Sequence, residues 1–198
     1  MFWVPFFYLF RRSASGGQIS GGVWALLFGS ITAILHFLLG TLVEPGGFGL
    51  SRWVYGFVEI ISLPALVPLL IYTILSLFRG FDDASGFADF SLLWLIPVAA
   101  LRSISWGSQN DPILLVMAPL LWTALAVGIP FFIKILFLRV RWYVIIPVVL
   151  CILILPVAAA SAYWFFFSHD NIKGAILLSV VIIPMILSVL LDFIKGSE

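Results

Sequence analysis

Apolar residues in this chain gather into long runs separated by short polar breaks, with neither strand-like alternation nor a one-sided helical stripe. The runs cover 23–43, 53–78, 90–106, 112–138, 142–167 and 172–194, and the breaks are built from Pro, Gly, Ser, Asn and charged residues. Two of those breaks are Glu44-Pro45-Gly46-Gly47 and Gly107-Ser108-Gln109-Asn110-Asp111. A bilayer core of about 30 Å is crossed by about 20 apolar helical residues, because every backbone N–H and C=O must be paired within the segment. The pattern therefore predicts an all-α protein, a polytopic transmembrane helical bundle of six spans over 23–198. No break is long enough to hold a soluble domain. The third run is the least regular, since its uninterrupted apolar stretch is only 92–101, which a re-entrant or interfacial course would also accommodate.

Composition agrees with the pattern: hydrophobic residues make up 63%, charged residues 10%, and the mean hydropathy is +1.22. Soluble domains carry roughly 25% charged residues, so an ordinary soluble protein is excluded. Ten Lys and Arg against nine Asp and Glu give no basic field of the kind that holds nucleic acid. The single cysteine, Cys151, rules out an intrachain disulfide or a CxxC motif, and two histidines, His36 and His169, argue against a histidine-rich metal site.

Charge placement sets the orientation, because Lys and Arg in short loops collect on the cytoplasmic side. Six spans with both termini cytoplasmic put Arg11, Arg12, Arg79, Lys134, Arg139, Arg141 and Lys195 inside and only Arg52, Arg102 and Lys173 outside. A third run that did not cross would divide them evenly. Trp24, Trp53, Trp94, Trp106, Trp142 and Trp164 fall near the ends of runs, where amphipathic rings favour the headgroup level, and Trp122 alone lies well inside one.

Residues 1–22 read as an N-terminal interfacial segment. Its first ten residues are almost wholly apolar but too short to cross, and Arg11-Arg12 follows them, the reverse of the order in a cleaved signal peptide. Trp3, Phe6, Phe7 and Tyr8 are expected to dip into the membrane with the arginines at anionic headgroups; a tail packed on the bundle is the alternative. The expected location is a bacterial cytoplasmic (inner) membrane.

Gly21, Ala25, Gly29 and Ala33 recur every four residues and share one face of the first span. Small residues at that spacing admit a second helix at close range, which matters in lipid because helices associate there through packing. The face serves either an internal helix contact or the docking of a partner membrane protein. Pro64, Pro68, Pro97, Pro119, Pro130, Pro147, Pro156 and Pro184 lie inside spans, where each removes one backbone hydrogen bond. Such breaks occur in transporters and in static bundles alike.

Ionisable residues inside a span are costly and make the best site candidates. His36, Glu59 and Arg102 fall in the outer third of the six-span arrangement, with Tyr55 and Ser62 on the Glu59 face. They are expected to converge on an outward-facing polar pocket or a structural ion pair, and a small-molecule ligand would enter there. Catalysis is not expected: GxSxG, HExxH and P-loop patterns are missing, and Ser161 and His169 lack a third triad member. Asp82, Asp83 and Asp89 read as a solvated capping loop, so no metal and no cofactor is called for.

The stretch from Leu77 to Pro97, with Phe78-Arg79-Gly80, an acidic loop, and Phe87-Ala88-Asp89-Phe90 leading through Trp94 to Pro97, resembles the Yip-domain family of small membrane proteins. The resemblance implies a five-span, non-enzymatic adaptor or organiser, and the run at 172–194 departs from that count. The six-run pattern with its small-residue stripe is also similar to the substrate-binding membrane subunits of energy-coupling-factor vitamin transporters. That likeness implies docking through Gly21, Ala25, Gly29 and Ala33. The expected function is a non-catalytic subunit of a membrane assembly, in contact with the bilayer and with a partner membrane protein or a second copy; small-molecule uptake is the alternative.

Overall fold

The computed structural model describes residues 4–6, 8–9, 22–42, 53–54, 56–57, 65–79, 84–108, 112–137 and 141–196, with side chains at most of these positions. Every regular element among them is helical. In chain order they are α1 Gly22–Leu42, α2 Val67–Arg79, α3 Ala84–Ser108, α4 Pro112–Phe137, α5 Trp142–Phe167 and α6 Asn171–Gly196. Among the described residues three helices are long and apolar enough to cross a membrane, over Pro112–Leu136, Trp142–Phe167 and Asn171–Leu190. The chain is therefore an integral membrane protein.

α3 and α4 lie side by side at the centre. α1 runs along α3, α2 leans on α3, and α5 and α6 pair with each other and with α4. Burial follows this order. Every residue from Leu121 to Pro130 of α4 is buried, as are Phe87, Phe90, Leu92, Trp94 and Leu95 of α3. Most of the bulky aliphatic residues described on α1, α5 and α6 point outward instead, among them Leu35, Leu153 and Ile183. An exterior of Leu, Ile and Val around a close-packed centre suits hydrocarbon, which solvates such side chains as well as a protein core does.

The third run is a single helix of 25 residues, about 37 Å long at 1.5 Å per residue. It starts at Ala84, six positions before the apolar run, because Phe87 and Ala88 also turn into the core. This moves Trp94 from the expected headgroup position to the middle of the bundle, where it is fully buried and stacked on Phe90 with ring centroids 6.3 Å apart. Trp142 does sit at a helix end and is 75% exposed. α2 is entered through a wider π-type turn at Ala65 and Leu66, just before Pro68, which has no N–H to give the regular ladder.

Near the N-terminus, residues 4–6 and 8–9 are helical. Val4 and Tyr8, one turn apart, are buried in the core, whereas Phe6 and Leu9 are exposed. Tyr8 thus packs into the bundle rather than dipping into the membrane: a helical turn has two faces, and the Val4 face is the one covered.

The α5–α6 connection is short because each helix end is completed by the same few residues. His169 N donates to Phe166 O at 3.1 Å and Asp170 N to Phe165 O at 2.9 Å, a Schellman closure of α5 that needs a left-handed residue, here His169 at φ 62°. Asp170 then caps α6, its carboxylate accepting from Lys173 N at 3.4 Å and pairing with Lys173 Nζ at 2.7 Å. The Lys173 ammonium, through that hydrogen bond, holds the Asp170 carboxyl below the usual carboxylate range. It also lies 5.4 Å from the Phe165 ring centroid, within cation–π range.

Candidate functional site

The small-residue face of α1 meets α3. Ala25, Gly29 and Ala33 are all buried, and α1 and α3 form the most extensive helix contact in the bundle. A Cβ at Gly29 would stand 2.6 Å from Trp94 O, 3.1 Å from Trp94 Cα and 3.2 Å from Pro97 Cγ. Only a glycine lets the two backbones approach so closely. The face is thus filled from within the chain; Gly21, its fourth member, lies outside the described residues.

Glycines mark other crossings in the same way. A Cβ at Gly56 would lie 2.8 Å from Tyr163 Cδ1, at Gly86 2.8 Å from the Tyr72 hydroxyl, and at Gly174 2.8 Å from the Phe166 ring. Gly128 meets Pro184 Cβ at an ordinary 3.4 Å. On α5 the run Ala158-Ala159-Ala160, with Ala162, is buried and forms a second small-residue face.

Tyr55 and Glu59 lie outside the described residues, as do the side chains of His36 and Arg102. His36 stands in the second half of α1 and Arg102 in the last third of α3. Among the described residues no three His, Cys, Asp or Glu side chains come together as a metal site.

Interior polar groups escape the sequence reading: Trp164 Nε1 on α5 is buried with no hydrogen-bond partner among the described residues, and two such groups sit together on α3. Ser30, Thr73, Ser103, Thr123 and Ser179 each donate a hydroxyl hydrogen bond to the carbonyl four residues earlier, at 2.7–2.8 Å. Ser91 does not: its Oγ is fully buried and has no hydrogen-bond partner among the described residues. Nor has Trp94 Nε1, three residues further along the same side of α3. Pro97 lies in the next turn and lacks the N–H that the Leu93 carbonyl would otherwise accept. The available signal was a serine and a tryptophan at i and i+3 just before a mid-helix proline.

The chain matches no protein-family model, and comparison with curated proteins and with solved structures likewise gives no match. What the described interior can do is read from its chemistry. Its polar groups are neutral hydroxyl and indole donors, able to bind a hydrogen-bond acceptor but offering no charge, nucleophile–base pair or metal ligand set. A shallow groove of about 410 Å³ along α6, between Asn171, Ala175 and Ser179, is lined mainly by apolar atoms.

Proposed function

We propose that the protein is a six-span subunit of a membrane assembly with both termini in the cytoplasm of a bacterial-type cell, acting through contact rather than catalysis. The observation that carries this reading is the close-packed centre, with α3 and the small-residue face of α1 already engaged with each other. A partner membrane protein or second copy would then meet the outward faces of α5 and α6. The resemblance around Leu77 to Pro97 to the Yip-domain family is in keeping with an adaptor role.

Helix contacts at like depth support six alternating spans. Gly174 and Phe166 both lie next to the adjoining ends of their helices, and Gly128 and Pro184 both fall near the middle. α3, at 25 residues, is long enough to cross. A cysteine placed at Gln109, in a Cys151→Ser background, is expected to react with a membrane-impermeant maleimide only from the outside. Labelling from the inside would refute the crossing of α3.

Native mass spectrometry from nanodiscs tests the function. A stoichiometric partner chain or a second copy is the expected result. A chain without protein partner that carries a stoichiometric small molecule would overturn it in favour of solute uptake, the reading that the unpartnered Ser91 and Trp94 donors beside Pro97 favour.

A further inference from the structure

Ser91 has the same option as Ser103 and Thr123, a hydrogen bond to the carbonyl one turn earlier, and does not take it. Its hydroxyl is fully enclosed and has no partner among the described residues. The indole N–H of Trp94, also fully buried, is in the same condition. Each group forfeits the hydrogen bonds that water would give it, so two of them at one place on a helix call for a common cause.

The local geometry brings the two together. Ser91 and Trp94 stand at i and i+3 of α3, neighbours on one side of the helix. A long helical side chain leans back over the preceding turn. Trp94 does so: its ring stacks on Phe90, with centroids 6.3 Å apart and 28° between the planes. The indole therefore covers the turn that also carries Ser91. Its position is fixed from both sides, by the close approach of Gly29 to the Trp94 backbone and by Tyr72, whose ring meets Phe90 edge-on at 5.5 Å between centroids. Two polar neighbours that make no direct hydrogen bond are the arrangement a bridging molecule serves.

We propose that Ser91 and Trp94 form an internal hydration site, holding one water molecule inside the bundle. The indole N–H donates to the water oxygen, and the water donates to Ser91 Oγ. A buried water needs roughly two to four polar partners, and these two supply the minimum. Neutral donors select a neutral occupant, because an ion here would lie uncompensated within the membrane span. Complete enclosure by aromatic rings and backbone selects a small one. The site depends neither on the number of spans nor on what meets the outer faces of α5 and α6.

The test uses the full chain, labelled with ¹⁵N-tryptophan, in bilayers of deuterated lipid, and follows magnetisation passing from water to each indole N–H by solid-state NMR. Loss of one signal in Trp94→Phe assigns Trp94, and Trp142, 75% exposed at a helix end, is the hydrated reference. Transfer from water to the Trp94 indole is expected in the unaltered protein and its loss is expected in Ser91→Ala, with the Trp142 signal unchanged. Ser103→Ala, which removes a hydroxyl already bonded to Ala99 O on the same helix, is expected to leave the Trp94 transfer intact. Absence of transfer in the unaltered protein would overturn the proposal, as would transfer that survives in a folded Ser91→Ala variant or disappears equally in Ser103→Ala. A stoichiometric organic molecule in native mass spectra, lost in Ser91→Ala, would overturn it in favour of a solute site. Absence of a partner chain in those spectra would count against the adaptor reading alone and leave the hydration site standing.

Discussion

Replacing Gly29 by alanine probes the α1–α3 crossing with one carbon atom. The added Cβ would lie 2.6 Å from Trp94 O and 3.1 Å from Trp94 Cα. Both are backbone atoms of a helix packed on three sides, so no side-chain rotation relieves the clash. Reaching ordinary contact at about 3.4 Å requires α1 to withdraw by 3.4 − 2.6, about 0.8 Å, which also loosens the buried contacts of Ala25 and Ala33. Overpacking of this kind costs about 1–3 kcal/mol, and the better helix propensity of alanine returns at most about 1 kcal/mol. With the full propensity offset the net loss is about 0–2 kcal/mol. Gly128→Ala is the matched control: its Cβ would meet Pro184 Cβ at 3.4 Å and Leu155 Cδ2 at 3.8 Å, ordinary contacts, so propensity decides and stability stays level or rises by up to about 1 kcal/mol. Steric trapping in mixed micelles measures both variants on the same scale. A Gly29→Ala protein at least as stable as Gly128→Ala would refute the close approach of α1 to α3. Had the stripe served a partner instead, the isolated protein would be indifferent to the change and only the complex would suffer.

His169→Gly removes a side chain from a left-handed position and is expected to stabilise the α5–α6 hairpin by up to about 1 kcal/mol; a lower melting temperature would argue against the Schellman closure. Gly86→Ala pushes a methyl against only the hydroxyl of Tyr72, at 2.8 Å, so its destabilisation should be small and largely relieved by Tyr72→Phe, which a double-mutant cycle measures as a coupling between the two sites. Asp170 titrates below the ordinary carboxylate value because Lys173 hydrogen-bonds its ionised form. Its contribution to the hairpin is therefore fully present above the unfolded value, 3.8, and is lost as pH falls through the lower folded value. Carbon-detected NMR should show the Asp170 midpoint rising towards the ordinary value in Lys173→Gln, and an unchanged midpoint would refute the pairing.

Much of the architecture was legible because lipid imposes a length and a composition on each span. The runs at 112–138, 142–167 and 172–194 match α4, α5 and α6 to within a few residues. The Gly29 stripe was legible too, since a spacing of four fixes a face; which helix covers that face is a tertiary fact that no local pattern carries. α3 begins at Ala84, ahead of the apolar run, because hydropathy counts apolar residues whereas the helix extends back past Phe87 and Ala88, which pack in the core. Trp94 was misread for the same reason: an indole near the end of an apolar run is expected at the headgroups, but Gly29 opens a place for its backbone in the middle of the bundle. The α5–α6 turn was illegible because its signal, a left-handed residue, is carried here by histidine instead of glycine or asparagine.

These particulars place specificity at the rim of the molecule. Beyond a few neutral hydroxyl and indole groups, the crossings of the described interior are ordered by small residues, whose effect is to set how closely helices approach. Such packing gives a shape but no preference for one solute or partner, since any van der Waals surface of the right contour would fit it. Charge distinguishes one surface from another, and at the α5–α6 turn it is satisfied within the chain, where Lys173 is balanced by Asp170 at 2.7 Å. A paired cation leaves its surroundings neutral, so recognition at that end must rest on the exposed side chains around the pair rather than on the pair itself.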